Sequence, residues 1–186
     1  MEVKTTPIEG LLLIKPMLFP DSRGDFFESY SENNFLQAGI SFRFVQDNQS
    51  RSQKNVLRGM HFQEPPFGQG KLVRVVSGSA LDVATDIRKN SPTYTKSFAV
   101  TLSGGNNLML WIPPGFAHGF LALQDDTVVI YKCTAPYNKA SEKGIRWNDS
   151  DLNIDWGIAN PILSEKDSRL PLLREYQANS IETKMM

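Results

Sequence analysis

His61 and His118 are the only histidines in the sequence, and an imidazole titrates close enough to neutrality to be a candidate acid or base. A lone histidine is more often structural than catalytic, but the neighbours here weigh against that reading. His61 stands in Val56-Leu57-Arg58-Gly59-Met60-His61-Phe62-Gln63, an apolar strand-like run broken by a cation and an imidazole, both costly to bury unless paired. Arg58 and His61 are three positions apart, so an ideal strand would point them to opposite faces. Gly59 between them permits a bulge that re-aims one of them, and bulges collect beside active sites. His118 follows Pro113-Pro114-Gly115, a turn that places its imidazole near the mouth of a barrel. Along Lys71 to Val76, Lys71, Val73 and Val75 share one face and Leu72, Arg74 and Val76 the other, so one of the two cations faces inward. A lysine at a strand start ordinarily keeps its amine in solvent. Tyr131 shares parity with Val129 and Cys133 and points inside, where its hydroxyl needs a partner. Gln46 and Asn48 share a face with Asp47 opposite, and two adjacent amides can clamp a phosphate or another polar ligand. Ser164-Glu165-Lys166-Asp167 has capping-box spacing, which reads Asp167 as serving a helix start before any catalytic duty.

The elements that must position these groups are short. Strand-length runs cover 11–19, 42–47, 71–77, 80–87, 96–102, 108–112, 119–123 and 127–134, separated by Pro, Gly, Asp and Ser clusters. That spacing predicts a sandwich or barrel, and the lack of long helices between strands argues against a doubly wound sheet. One helix is expected after Ser31, through Asn34 to Ala38 and stopped by Gly39, and a short one from Ser164. The last seven residues are expected to fray.

The chain has 186 residues, with 20 Lys and Arg against 20 Asp and Glu. That length suits one domain over 1–186, able to bury a core without disulfide or metal staples. The zero net charge offers no general attraction to nucleic acid or an anionic membrane. Cys133, the single cysteine, is read as a small buried residue in a reducing compartment. Leu11 to Ile14 is too short for a signal-peptide core or a membrane span, so a cytoplasmic protein is expected.

Six blocks, Arg23 to Ser29, Phe44 to Asn48, Val56 to Gln63, Gln69 to Arg74, Asp82 to Arg88 and Trp111 to Phe120, together closely resemble the dTDP-4-dehydrorhamnose 3,5-epimerase family. Tyr131 to Thr134, Glu142, Trp147-Asn148-Asp149 and Ser164 to Asp167 carry the likeness on in the family's order, over roughly residues 5 to 175. The resemblance implies a mostly β, cupin-type jelly-roll β-barrel (a double-stranded β-helix) with a few short helices. It implies a homodimer that converts dTDP-4-dehydro-6-deoxy-D-glucose to dTDP-4-dehydro-L-rhamnose with no metal and no organic cofactor. By the same resemblance His61 is the proton acceptor and Tyr131 the proton donor, while Lys71 stabilises the enolate oxygen and Asp167 orients His61. Arg23, Glu28, Gln46, Asp47, Asn48, Arg58, His118, Glu142 and Lys166 match substrate contacts, with Arg23 and Glu28 reaching across the dimer interface, and Tyr137 matches an aromatic stacked on thymine.

Those roles suit the chemistry. Inverting a carbon beside a ketone needs a base on one face, an acid on the other and a cation for the intermediate's charge. The chain departs from the family at Ala135-Pro136-Tyr137, where two consecutive tyrosines are usual, and at Lys139, which replaces a proline. Some relatives invert a single carbon. A metal-dependent cupin would have to assemble its site from His61, His118 and Glu64, and a non-catalytic nucleotide-sugar-binding module would have no need of His61, Lys71 and Tyr131 together.

Overall fold

The computed structural model describes residues 1–177, so the expected fraying of the last seven residues lies outside the described residues. The strands are β1 (Glu2–Thr5), β2 (Leu12–Lys15), β3 (Phe19–Asp21), β4 (Gly24–Phe26), β5 (Gln46–Ser52), β6 (Leu57–Gln63), β7 (Lys71–Ser77), β8 (Ser79–Asp86), β9 (Ser97–Ser103), β10 (Met109–Ile112), β11 (Phe116–Ala122), β12 (Thr127–Cys133) and β13 (Glu142–Gly144), with helices α1 (Glu32–Gln37) and α2 (Glu165–Ser168). A six-stranded sheet in the order β1-β2-β10-β7-β12-β5 faces a five-stranded sheet in the order β13-β6-β11-β8-β9. Pairing is antiparallel throughout both sheets. The architecture is the mostly β jelly-roll barrel expected.

Alternation along the strands explains the packing. Val73, Val75, Leu110, Ile112 and Val129 from the first sheet meet Ala80, Ala84, Leu102, Phe116 and Phe120 from the second to form the inner core. Both outer faces are also covered. Phe35 and Ile40 close over Ile14, Leu72, Met109 and Trp111, and Ile145, Leu152, Trp156 and Leu173 close over Leu57, Val83, Ala117 and Leu121. This double cover explains why β11 is buried at every position and reads as a continuous apolar run. It also corrects the expected start of that strand, which lies at Phe116 rather than Gly119.

Two other boundaries differ from expectation. The run 11–19 breaks into β2 and β3 around Pro16, which has no N–H to give a ladder. The strand expected over 42–47 begins only at Gln46, because Phe42 and Phe44 pack against the Trp111 ring instead of pairing. Helix α1 forms as expected behind Ser31 and is followed by Gly39 at φ +81°, a left-handed C-terminal stop.

The bulge anticipated at Gly59 is present. His118 pairs with His61 and Phe120 with Arg58, so Gly59 and Met60 together oppose Gly119 alone and Arg58 and His61 come to the same face. Gly59 has φ +136°, and a Cβ there would lie 2.5 Å from Gly119 Cα, so no larger residue fits. Nothing in the described residues forms a helix long and apolar enough to cross a membrane.

Candidate active site

His61 enters the barrel from β6 and Tyr131 from β12, so the imidazole and the phenol come from opposing sheets. Two adjoining hollows of about 180 and 370 Å³ share Asn48, His61, Lys71 and Tyr131 in their linings. The first adds Gln46, Tyr137 and Glu142; the second adds Arg58, His118, Lys166 and Asp167.

His61 Nε2 lies 2.7 Å from Asp167 Oδ1, with the imidazole 27% exposed and the carboxylate 4%. A carboxylate only accepts, so the proton sits on Nε2 and Nδ1 is left as the basic nitrogen. Ser164 caps the helix, its Oγ accepting from the Asp167 backbone N–H at 3.0 Å. The Asp167 backbone thus serves the helix start while its side chain faces His61, so the two readings of this residue use different atoms. Burial alone would raise the Asp167 carboxyl. The His61 bond and charge, the Gly59 backbone N–H and the Ser164 side chain outweigh that and hold it below the usual carboxylate range.

Lys71 is buried on the inner face of β7, with Nζ 5.8 Å from the centre of the Tyr131 ring. Burial pushes its pKa down, while Cys133, Asp82 and Glu142 pull it up. Burial also raises the Tyr131 phenol, with Cys133 adding and Arg58 opposing, so at neutral pH it carries its proton and can give it. The phenol hydroxyl has no hydrogen-bond partner among the described residues.

His118 sits deeper than the expected barrel mouth. It lies within β11, buried, with Nε2 2.9 Å from Asp82 Oδ2, and its ring meets that of Tyr131 edge-on at 6.5 Å between centroids. Arg58 Nε donates to Ser52 Oγ at 3.1 Å and Nη2 to the Arg51 carbonyl at 3.3 Å. A chain of contacts frames the first hollow. Lys166 Nζ meets Glu142 Oε1 at 2.6 Å, the Tyr137 hydroxyl donates to Glu142 Oε2 at 2.9 Å, and the Tyr137 N–H donates to Gln46 Oε1 at 2.8 Å. Gln46 Nε2 then donates to Asn48 Oδ1 at 3.0 Å, and Asn48 Nδ2 to Cys133 Sγ at 3.4 Å. Tyr137 keeps this place despite the altered residues around it, its ring more than half exposed.

Three expected site residues stand apart from this cluster. Asp47 points from the other face of β5, where it pairs with Lys132 Nζ at 3.0 Å. Arg23, at the exposed tip between β3 and β4, pairs with Asp21 at 2.6 Å, and Glu28 Oε1 accepts from Asn34. Sequence reasoning gave no site role to Ser50, Gln69 and Phe120, which line the hollows, or to Asp82, which holds His118. The signal for Ser50 was its parity with Gln46 and Asn48.

Among the described residues no three His, Cys, Asp or Glu side chains are grouped to hold a metal ion. Glu64 accepts from the Tyr176 hydroxyl at 2.7 Å, and each imidazole Nε2 is taken by an aspartate, so the donor set of a metal-dependent cupin does not converge.

Residues 5–175 match the family model described as dTDP-4-dehydrorhamnose 3,5-epimerase. A protein of that name from Shigella flexneri is 50% identical over 168 residues, covering 90% of this chain and 93% of its own length. A dTDP-6-deoxy-D-glucose-3,5-epimerase from Legionella pneumophila, solved in complex with dTDP-4-keto-L-rhamnose, superposes with a TM-score of 0.91 at 45% identity, over 96% of this chain and 95% of that one. The dTDP-4-dehydrorhamnose 3,5-epimerase of Bacillus anthracis, solved with TDP and PPi bound, also gives 0.91, at 43% identity over 92% of this chain and 99% of that one.

Proposed function

The chain belongs to the dTDP-4-dehydrorhamnose 3,5-epimerase family, and from that premise we propose that it is an isomerase converting dTDP-4-dehydro-6-deoxy-D-glucose to dTDP-4-dehydro-L-rhamnose, as a single cupin-type domain working in the cytoplasm. The observation that carries this reading is the placement of a carboxylate-bound imidazole and a protonated phenol on opposing walls of one hollow, with a buried lysine between the sheets.

Nδ1 of His61 takes the proton from the carbon beside the C4 ketone, and the electron pair of the broken C–H bond moves into an enolate whose oxygen faces the Lys71 ammonium. Asp167 steadies the imidazolium that results. When the carbonyl re-forms, Tyr131 delivers its proton to the opposite face of that carbon, and solvent restores both side chains. Gln46, Asn48, Arg58, His118, Glu142 and Lys166 bind the sugar and diphosphate, with cations offsetting the phosphate charge, and the exposed Tyr137 ring stacks on thymine.

The test is NMR of dTDP-4-dehydro-6-deoxy-D-glucose incubated with the protein in D₂O containing a chelator. Deuterium at both C3 and C5 with the L-rhamno product is expected. Deuterium at one carbon would assign a single-carbon epimerase, and loss of activity restored by a divalent ion would overturn the metal-free mechanism.

The reading includes a homodimer in which Arg23 and Glu28 complete the neighbour's site. Supporting it, β3 and β4 form a hairpin with no third strand, an arrangement marginal alone, and Met17, Phe19 and Phe26 beside it are more than half exposed. Mixing Arg23→Ala with His61→Ala subunits should restore about one quarter of wild-type activity through hybrid dimers with one intact site. No recovery after verified subunit exchange would show that each site is built within one chain.

A further inference from the structure

Asp82 lies on the inner face of β8 between Ala80 and Ala84, both part of the apolar inner core. A carboxylate in such a row is costly unless it is fully paired, and this one is only half paired. Oδ2 meets His118 Nε2 at 2.9 Å, with side-chain exposures of 1% and 6%, while Oδ1 is buried with no hydrogen-bond partner among the described residues. A group kept at such a cost to stability is placed for another purpose.

We propose, on the functional reading above, that Asp82 is a positioning residue for the epimerisation: it fixes the orientation and tautomer of His118, the second imidazole of the hollow. Because the carboxylate only accepts, Nε2 of His118 holds the proton and Nδ1 is left as an acceptor. The Lys71 ammonium is influenced by Asp82, Glu142 and Cys133 and lies beside Tyr131. Burial pushes the His118 pKa down, with Asp82 opposing and Lys71 and His61 adding to the fall. Asp82 thus holds the second imidazole, and it is separate from the Asp167 that serves His61.

The isosteric Asp82→Asn variant separates this role from a structural one. Relative to wild type, kcat should fall on the order of 10–100-fold, a smaller loss than that of a carboxylate orienting the base itself, while affinity for dTDP by calorimetry and the melting temperature hold. Removing the negative charge also disfavours the protonated form of Lys71, whose pKa Asp82 pulls up, so the alkaline limb of kcat/KM should move down by about half a pH unit or more. With only two histidines in the chain, ¹⁵N NMR of the imidazoles should show the Nε2–H tautomer of His118 in the wild type and its loss in the variant. The NMR arm needs no substrate, so it stands even if the wild type proves to have a different activity, a result that would strike the function and not the positioning of His118. Unchanged kcat and pH profile in an active enzyme would overturn the proposal, as would a kcat loss matched by losses in dTDP affinity and melting temperature. Asp82→Ser, which fits between two alanines, gives the same readouts if the asparagine variant does not fold.

Discussion

His61→Asn should abolish the exchange of deuterium into both C3 and C5 of dTDP-4-dehydro-6-deoxy-D-glucose, and with it all epimerisation, a loss of at least roughly 10²–10⁴-fold. In the proposed mechanism both carbanions form beside the same C4 ketone, and His61 Nδ1 is the base for each. Asparagine suits the test better than alanine, since its amide can still donate to Asp167 Oδ1, which otherwise loses its 2.7 Å partner in a buried place where an unmet acceptor is costly. The link between β6 and α2 then survives, and affinity for dTDP, which the proposed function assigns to Gln46, Asn48, Arg58 and Lys166, should stay within a few-fold of wild type. Exchange at either carbon near the wild-type rate would reveal a second base, with His118 the next imidazole in the hollow.

The ease of reading each strand in the sequence depended on what its inner face touches. Strand β7 was legible to the residue because Lys71 heads an alternation whose inward members Val73 and Val75 enter the core. Strand β5 was displaced in the reading because its inward row is Gln46, Asn48, Ser50 and Ser52. Those residues line or border the hollow rather than the core, so hydrophobic alternation is absent where the site is. The Gly59 bulge was legible because a glycine between a cation and an imidazole has few other uses. Asp82 was hidden in the opposite way, one of two aspartates inside a strand otherwise read as apolar.

Contacts distant in the chain were beyond periodicity altogether. His61 and Asp167 are 106 positions apart, and spacing alone made Asp167 a helix cap. Only the resemblance joined the two. It likewise assigned Arg23, Glu28 and Asp47, none of which points into the hollow of its own chain. The placement of Arg23 and Glu28 follows if the functional unit is larger than one chain, which no pattern within the chain encodes.

Tyr131→Phe should separate the two halves of the reaction. The substitution removes one oxygen from a ring held between Lys71 and His118 and leaves no buried partner orphaned, since the hydroxyl has no hydrogen-bond partner among the described residues. The base, the lysine cation and the bound ketone all remain, so deuterium should still enter at the face His61 reaches. What should disappear is inversion at the carbon that Tyr131 reprotonates, which the family resemblance makes C5, by about 10²–10⁴-fold. The same variant should lose little stability, because the phenol contributes packing that phenylalanine keeps. Two results would defeat the assignment: equal loss of exchange in the Tyr131 and His61 variants, which would make the phenol necessary for carbanion formation, or normal inversion of both carbons without it, which would move the acid to another group. A pH profile refines the outcome. With the phenol held above its ordinary range by burial, its ionisation cannot set an alkaline limb near neutrality. Lys71, whose pKa burial pushes down, is the group in the hollow shifted toward such a limb, which should then persist in the residual exchange catalysed by Tyr131→Phe.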